Sequence, residues 1–296
     1  MKNIVGAFLI IIGAVCFSAK AIMVKLSYLH EVDAITVLTL RMLFSIPFYI
    51  VILFFNRKKL EESKASLTRK DWVNIVLMGV VGYYLASIFD FIGLSYVTAG
   101  LERLILFIYP TLVVIISAVF LKKKIGKAEY IALLLTYLGV LIVFFDDAVV
   151  SQNNVWLGAA FIFTSALAYS IYLIGTGQLT PKLGSINYTA LSMIVSSVAV
   201  FIHYLIVGKI ENLFANNDVV WLTLNMAVFS TVIPSFLIAE GIRLMGSARA
   251  SIVASIGPVS TIVLAYYFLN ESFGMIQFIG TVLVLAGVLF VSLKKN

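Results

Sequence analysis

The chain has 296 residues, 62% hydrophobic and only 12% charged, whereas a soluble domain carries about 25% charged residues; this much apolar surface needs lipid as its solvent. One cysteine, Cys16, and two distant histidines, His30 and His203, exclude an internal disulfide and leave no metal-ligand cluster or cofactor site. The net charge of +7 is not read as a nucleic-acid signature, because the basic residues sit in short loops between apolar runs.

A helix needs about 20 apolar residues to cross the hydrocarbon, and open sheets would leave backbone groups unpaired there. Such runs occur at 4–28, 34–55, 72–94, 98–121, 127–145, 155–176, 185–207, 219–242, 247–269 and 273–293. The expected fold is therefore an all-α integral membrane protein of ten transmembrane helices. The first run, with Lys2 before it and Ala19-Lys20-Ala21 at its end, has the look of a signal peptide. Its segment from Gly6 to Ser18 recurs later, so it is expected to be a retained span. With both termini cytoplasmic, 16 of the 21 basic residues lie on the inner side and only Lys209 on the outer, the asymmetry that sets orientation.

In chain order, the first span carries Gly13, Phe17, Lys20 and Val24 on one face. Lys25, near its outer end, is read as snorkelling to the surface. Arg41 lies in the second span, and Tyr83, Ser87 and Asp90 share a face of the third. The fourth aligns Glu102, Leu106 and Tyr109. Arg103 points about 100° away from Glu102 and is not expected to share its cavity. Pro110 frees the carbonyl of Leu106 and its counterpart Pro258 that of Ala254, so both are read as hinge positions. The sixth span aligns Ser165, Tyr169, Tyr172 and Thr176. Glu240, near the inner end of the eighth, is expected to pair with Arg243 or Arg249. In the ninth, Gly246, Ala250 and Ala254, flanked by Ser247, Ser251 and Ser255, suit close helix packing.

A charge at the bilayer centre costs roughly 2.5–3.5 kcal/mol, so these ionisable groups must pair, reach an interface or line water. Lys20, Lys25, Arg41, Asp90, Glu102 and Arg103 fall in the outer half. Asp90 or Glu102 is expected to neutralise Lys20 or Arg41, and the surplus cation would attract a carboxylate or phosphate. Static salt bridges and helix packing are the alternative reading of the same residues.

The chain repeats itself. A shift of 148 residues brings Gly93 onto Gly241, Pro110 onto Pro258, Phe120-Leu121 onto Phe268-Leu269 and Gly139-Val140-Leu141 onto Gly287-Val288-Leu289. A shift of 152 brings Gly6-Ala7 onto Gly158-Ala159, Ala14 onto Ala166 and Ser18 onto Ser170. The halves are residues 1–147 and 148–296, with five spans each. Five is odd, so the second half enters from the opposite side, which makes an inverted repeat of the kind transporters use.

The stretches Ala99-Gly100-Leu101-Glu102-Arg103-Leu104 through Tyr109-Pro110-Thr111-Leu112, and Ala248-Arg249-Ala250-Ser251 through Gly257-Pro258, resemble the EamA-type transporters of the drug/metabolite transporter superfamily. Phe268-Leu269-Asn270-Glu271 is similar to the family's apolar run before Gly-Glu. The first copy departs there, with Lys122-Lys123-Lys124. The resemblance implies a central cavity lined mainly by spans 1, 3, 4, 6, 8 and 9, with 5 and 10 peripheral.

No phosphate-binding loop and no nucleophile–base pair accompany these spans, so neither ATP hydrolysis nor an enzyme is expected. The expected function is a secondary transporter, an exporter of a small polar metabolite such as an amino acid. The solute, carrying a carboxylate in the simplest case, would bind by alternating access at Lys20, Phe17, Arg41, Tyr83, Ser87, Asp90, Glu102, Tyr109, Tyr169 and Tyr172. A channel or a non-transporting membrane receptor is the alternative. The expected location is the plasma membrane, a bacterial inner membrane, and a homodimer is compatible with the reading.

Overall fold

The computed structural model describes residues 2–64, 67–121, 127–150, 154–245, 253–254 and 256–293. Every regular element among them is helical. The first half runs α1 (Lys2–Tyr28), α2 (Ala34–Phe55), a short α3 (Arg57–Lys64), α4 (Arg69–Gly79) continuing into α5 (Ala86–Leu94), α6 (Ala99–Leu106), α7 (Tyr109–Leu121) and α8 (Lys127–Val150). The second half runs α9 (Val155–Leu183), α10 (Ser185–Val207), α11 (Asn217–Ala227) continuing into α12 (Ile233–Met245), α13 (Ile256–Leu269) and α14 (Met275–Leu293). Six helical stretches are long and apolar enough to cross a bilayer: Ile4–Tyr28, Ala34–Phe55, Arg69–Leu94, Val155–Gly175, Ser185–Val207 and Asn217–Gly241. Shorter apolar helices cover Leu134–Asp146, Ile256–Leu269 and Met275–Gly287. The outward faces carry exposed Phe8, Phe54, Leu205, Trp221, Tyr267 and Phe268, a surface suited to lipid.

Local sequence explains where the helices start. Asp33 accepts the Thr36 N–H at 2.7 Å to cap α2. Thr68 and Asp71 cap α4 reciprocally, the hydroxyl-and-carboxylate box that satisfies two orphan donors. Thr98 caps α6, accepting from Leu101 N at 3.1 Å. Between α9 and α10 the chain turns at Gly184, whose φ of +74° is open to glycine.

The halves interlock rather than sit side by side. α1 packs on α12 and α13 of the other half, and α9 packs on α5, α6 and α7. α2 lies along α10, and α8 along α14. The contacts recur with the halves exchanged. Gly93 faces Ile162 and the Gly158 carbonyl, while Gly241 faces Ile10 and the Gly6 carbonyl; a methyl on either glycine would meet that carbonyl oxygen at 3.0 Å. Ser18 donates to the Gly257 carbonyl at 2.9 Å, and Ser170 to the Tyr109 carbonyl at 3.2 Å. The third and eighth helical stretches each contain a π-helical segment, Val80–Leu85 and Val228–Val232, whose first residues are 148 apart. One-turn π insertions of this sort re-aim side chains and gather at functional sites.

The fourth stretch departs from the expected kinked helix. α6 stops at Leu106, a turn takes Phe107 and Ile108, and α7 starts at Tyr109. Pro110 therefore lies in the first turn of α7, where its missing N–H costs nothing. Pro258 lies likewise in the first turn of α13. Several expectations fall outside the described residues: Lys122 to Lys124, Gly246, Ser247, Arg249, Ala250, Ser251 and Ser255. The side chains of Pro110, Thr176 and Arg243 fall outside them too.

Candidate functional site

Three helices of the first half meet at a buried ionic cluster. Lys20 of α1 donates to Asp90 Oδ2 of α5 at 2.5 Å, and its Nζ stands 3.5 Å from Glu102 Oε1 of α6. Relative exposures are 5% for Lys20, 2% for Asp90 and 0% for Glu102, so water does not screen the group. The ammonium can satisfy only part of what surrounds it. Asp90 Oδ1 and both Glu102 oxygens make no hydrogen bond, because the 3.5 Å ion pair lacks hydrogen-bond geometry. Buried charges normally have their lone pairs filled, so these oxygens mark a place where a further donor belongs.

Arg41, the other cation offered to these acids, pairs with neither of them. Its Nη2 donates to Ser87 at 2.9 Å and its guanidinium lies 4.9 Å from the Phe91 ring centre, with no carboxylate within ion-pair range among the described residues. Its Nε is without a partner. Phe17 carries two cations: Lys20 Nζ and the Arg103 guanidinium each lie 5.5 Å from its ring centre. Arg103 therefore belongs to the cluster, against the expectation from its angle to Glu102. A long side chain can swing across 100° of helix surface to reach a ring that lies between two faces. Gly257 leaves the room, since a methyl there would meet an Arg103 Nη atom at 2.8 Å.

The second half contributes aromatic surface. Tyr169 and Tyr172 of α9 stack 5.8 Å apart. Tyr109 stands edge-on to Tyr169 at 5.3 Å, Tyr83 edge-on to Tyr172 at 4.9 Å, and Tyr188 stacks on Tyr172 at 5.9 Å. Tyr83 lies within the first π segment, and Gly82 beside it abuts the Tyr172 side chain, so the backbone insertion sets this contact. Tyrosines supply an apolar wall with hydroxyl handles. Of the sixth-span stripe, Ser165 serves packing instead, donating to the Ala86 carbonyl at 2.7 Å.

A pocket of about 740 Å³ is bounded by Lys25, Tyr28, Asp33, Ser95, Thr98 and Glu271 among others. Lys25 does reach this surface region and lies 4.0 Å from Glu271. Glu271 accepts the N–H groups of Ala99 at 2.9 Å and Gly100 at 3.3 Å, an anion on the positive end of α6. It thereby ties the loop before α14 to the helix that bears Glu102. Tyr28, which lines this pocket, donates to the Phe91 carbonyl at 2.6 Å. On the other side, Lys182 of α9 donates to both Asp71 oxygens at 2.9 and 2.8 Å. Glu271 was legible only as a loop acid, because its partners are backbone groups that no sequence pattern displays.

Known proteins agree with this architecture. The chain matches the EamA-like transporter family twice, over residues 4–145 and 156–293. It is 31% identical over 294 residues to the uncharacterized transporter YcbK of Bacillus subtilis, covering 97% of this chain and 91% of that one. It is 26% identical to the uncharacterized transporter YyaM of the same organism, covering 78% and 77%. It is 22% identical to the uncharacterized inner membrane transporter YicL of Salmonella typhimurium, covering 77% and 75%. A solved crystal structure shares the fold with a TM-score of 0.69 at 12% identity, covering 96% of this chain and 95% of the other. Two family matches in one chain, each spanning a half with the same internal contacts, make this protein a member of the EamA-like transporter family and a multi-pass membrane transporter.

Proposed function

We propose that this transporter moves a small polar solute, such as an amino acid, by alternating access around the Lys20–Asp90–Glu102 cluster. The observation that carries the reading is the set of unfilled polar atoms there. Asp90 Oδ1, both Glu102 oxygens and the Nε atoms of Arg41 and Arg103 are buried without hydrogen-bond partners. A solute with both an acceptor and a donor satisfies groups of both signs, and the tyrosines of α9 close over its apolar part. An exchange of buried water for such a solute costs little, because the protein atoms are already positioned.

Ten spans complete the scheme, as two inverted five-helix repeats of residues 1–147 and 148–296. α6 with α7, α8, the segment ending in α13, and α14 add four to the six long spans. The exchanged contacts of Gly93 with Gly241 and of Ser18 with Ser170 support that relation. The break at Phe107 and Ile108 before Pro110 supplies a joint about which the first half flexes, and Pro258, at the matching position, is proposed as the hinge of the second. Both termini are cytoplasmic, as the basic inner loops require. The membrane is a bacterial inner membrane, as in the name of YicL, and the direction is export.

Ligand-induced stabilisation of the purified protein tests the site. A ligand at a hundred times its Kd adds about 2.7 kcal/mol of stability. Amino acids, organic anions and nucleosides are supplied separately, and one class should raise the unfolding midpoint of the wild type. The neutralised variant Lys20→Met/Asp90→Asn should fold and show no such rise. A wild type indifferent to all three classes, or a variant that still responds, contradicts the assignment.

A further inference from the structure

Two polar contacts join the halves at their ends, and the repeat relates them. Lys182, in the last turn of α9, donates to both oxygens of Asp71, in the first turn of α4, at 2.9 and 2.8 Å. Asn216, the N-cap of α11, donates from Nδ2 to His30 Nδ1, just past the end of α1, at 3.3 Å. The shift of 152 residues that brings α1 onto α9 brings His30 onto Lys182. The shift of 148 that brings α4 onto α11 brings the N-cap Thr68 onto the N-cap Asn216. Each contact therefore ties the end of the first helix of one half to the start of the third helical stretch of the other.

The helix caps aim both partners. Asp71 accepts the Thr68 N–H at 2.8 Å within the reciprocal box of α4. Asn216 spends its Oδ1 on the N–H groups of Asp218 and Val219 at 2.9 and 3.2 Å, which leaves Nδ2 to face His30. Both contacts are open to water. The Lys182 side chain is 41% exposed, and His30 and Asn216 are half-buried. Such ties are weak singly, so they can break and re-form without unfolding a helix. With both termini cytoplasmic, the α9–α4 contact is at the inner face and the α1–α11 contact at the outer. The inner one is an ion pair and the outer one a neutral amide–imidazole bond. The outer face has a further tie across the halves, Glu271 on the N–H groups of Ala99 and Gly100.

We propose that Lys182–Asp71 and His30–Asn216 are the inner and outer latches of the transport cycle, one holding its face closed while the other is open. The inference rests on the transporter reading and names positioning residues for it. Rocking of one half against the other parts the contact at one face and keeps the contact at the other. A latch exists in one state only, so its loss shifts the population toward opening of its own face and closure of the opposite face. A contact that served packing alone would loosen both faces together or neither.

Distances between spin labels on the full chain in lipid read the two faces, with Cys16→Ser as background. Labels at Leu29→Cys and Asp218→Cys report the outer face. Labels at the matching Pro181→Cys and Lys70→Cys report the inner one, and all four positions are exposed. Lys182→Met and His30→Leu leave both helix caps in place. Lys182→Met should raise the long-distance inner population several-fold and lower the long-distance outer one. His30→Leu should do the reverse, to a smaller extent, because Glu271 still ties the outer face. Lys182→Arg, which keeps the charge, should match the chain with Lys182. Distances unchanged in both variants, lengthening at both faces of one variant, or an inner face that opens as far in Lys182→Arg as in Lys182→Met, each overturn the latches. Failure of the wild type to show counterflow of amino acids, organic anions or nucleosides counts instead against the transporter reading, whatever the distances do.

Discussion

The two halves share a skeleton and differ in what they bury inside it. Ser18 and Ser170 reach across to the same kind of carbonyl, Gly93 and Gly241 admit the same kind of neighbour, and both π segments start at matching positions. The charges of the buried cluster are all on one side of this correspondence. Lys20 corresponds to Tyr172, Asp90 to Ile238, Glu102 to Ala250 and Arg103 to Ser251 at the shifts that align the halves. Phe17 corresponds to Tyr169. The matched contacts are those that two exchangeable arrangements need, since a rocking motion must find equivalent packing at each end. The unmatched charges are those that a solute needs, since a small asymmetric molecule has one orientation of its polar groups.

The largest expected effect separates the halves. Asp90→Ala strands a buried ammonium beside Glu102 alone and should cost about 3–5 kcal/mol, read as a lowered unfolding midpoint. The triple variant Lys20→Met/Asp90→Leu/Glu102→Leu, which removes the whole buried ionic group, should recover most of that stability. Tyr172→Phe, at the position matching Lys20, loses a 3.5 Å hydroxyl contact with Tyr83 and should cost about 0.5–1.5 kcal/mol. Equal losses at Asp90 and Tyr172 would remove the asymmetry.

The next effect should be the same in both halves. Gly93→Ala and Gly241→Ala each push a methyl against an isoleucine and a backbone carbonyl, at about 1–3 kcal/mol each. Tolerance of one and rejection of the other, in the same thermal assay, would break the correspondence. The smallest effect is again paired. Ser18→Ala and Ser170→Ala each remove one cross-half hydrogen bond and should cost about 0.5–1.5 kcal/mol apiece.

Much of this was legible in the sequence, and for identifiable reasons. The expense of a charge in lipid makes each intramembrane ion informative, so a pairing of Asp90 or Glu102 with Lys20 or Arg41 could be expected from depth, while which cation meets which acid could not. Paired glycines and prolines at a fixed offset gave the repeat. The π segments were hidden because an inserted backbone turn leaves hydropathy unchanged. The break at Phe107 and Ile108 was hidden because a proline reads equally as a kink within one helix or the first turn of the next. Of the two cations offered to the acids, Lys20 takes both and Arg41 meets Ser87. Arg103 was set aside on helix geometry that ignored the reach of its side chain. The tyrosine pairs depend on how α9 rotates against the third stretch, which no pattern within one helix records.

Counterflow into proteoliposomes tests the central claim most directly. Vesicles are loaded with an excess of unlabelled amino acids, organic anions or nucleosides and then diluted into the labelled compound. A carrier built around the charged cluster predicts a transient, saturable accumulation of label for one class in the wild type and none in Lys20→Met/Asp90→Asn. Label that equilibrates without an overshoot and without saturation would show an open pore, and overshoot that survives in the neutralised variant would show that the solute passes elsewhere.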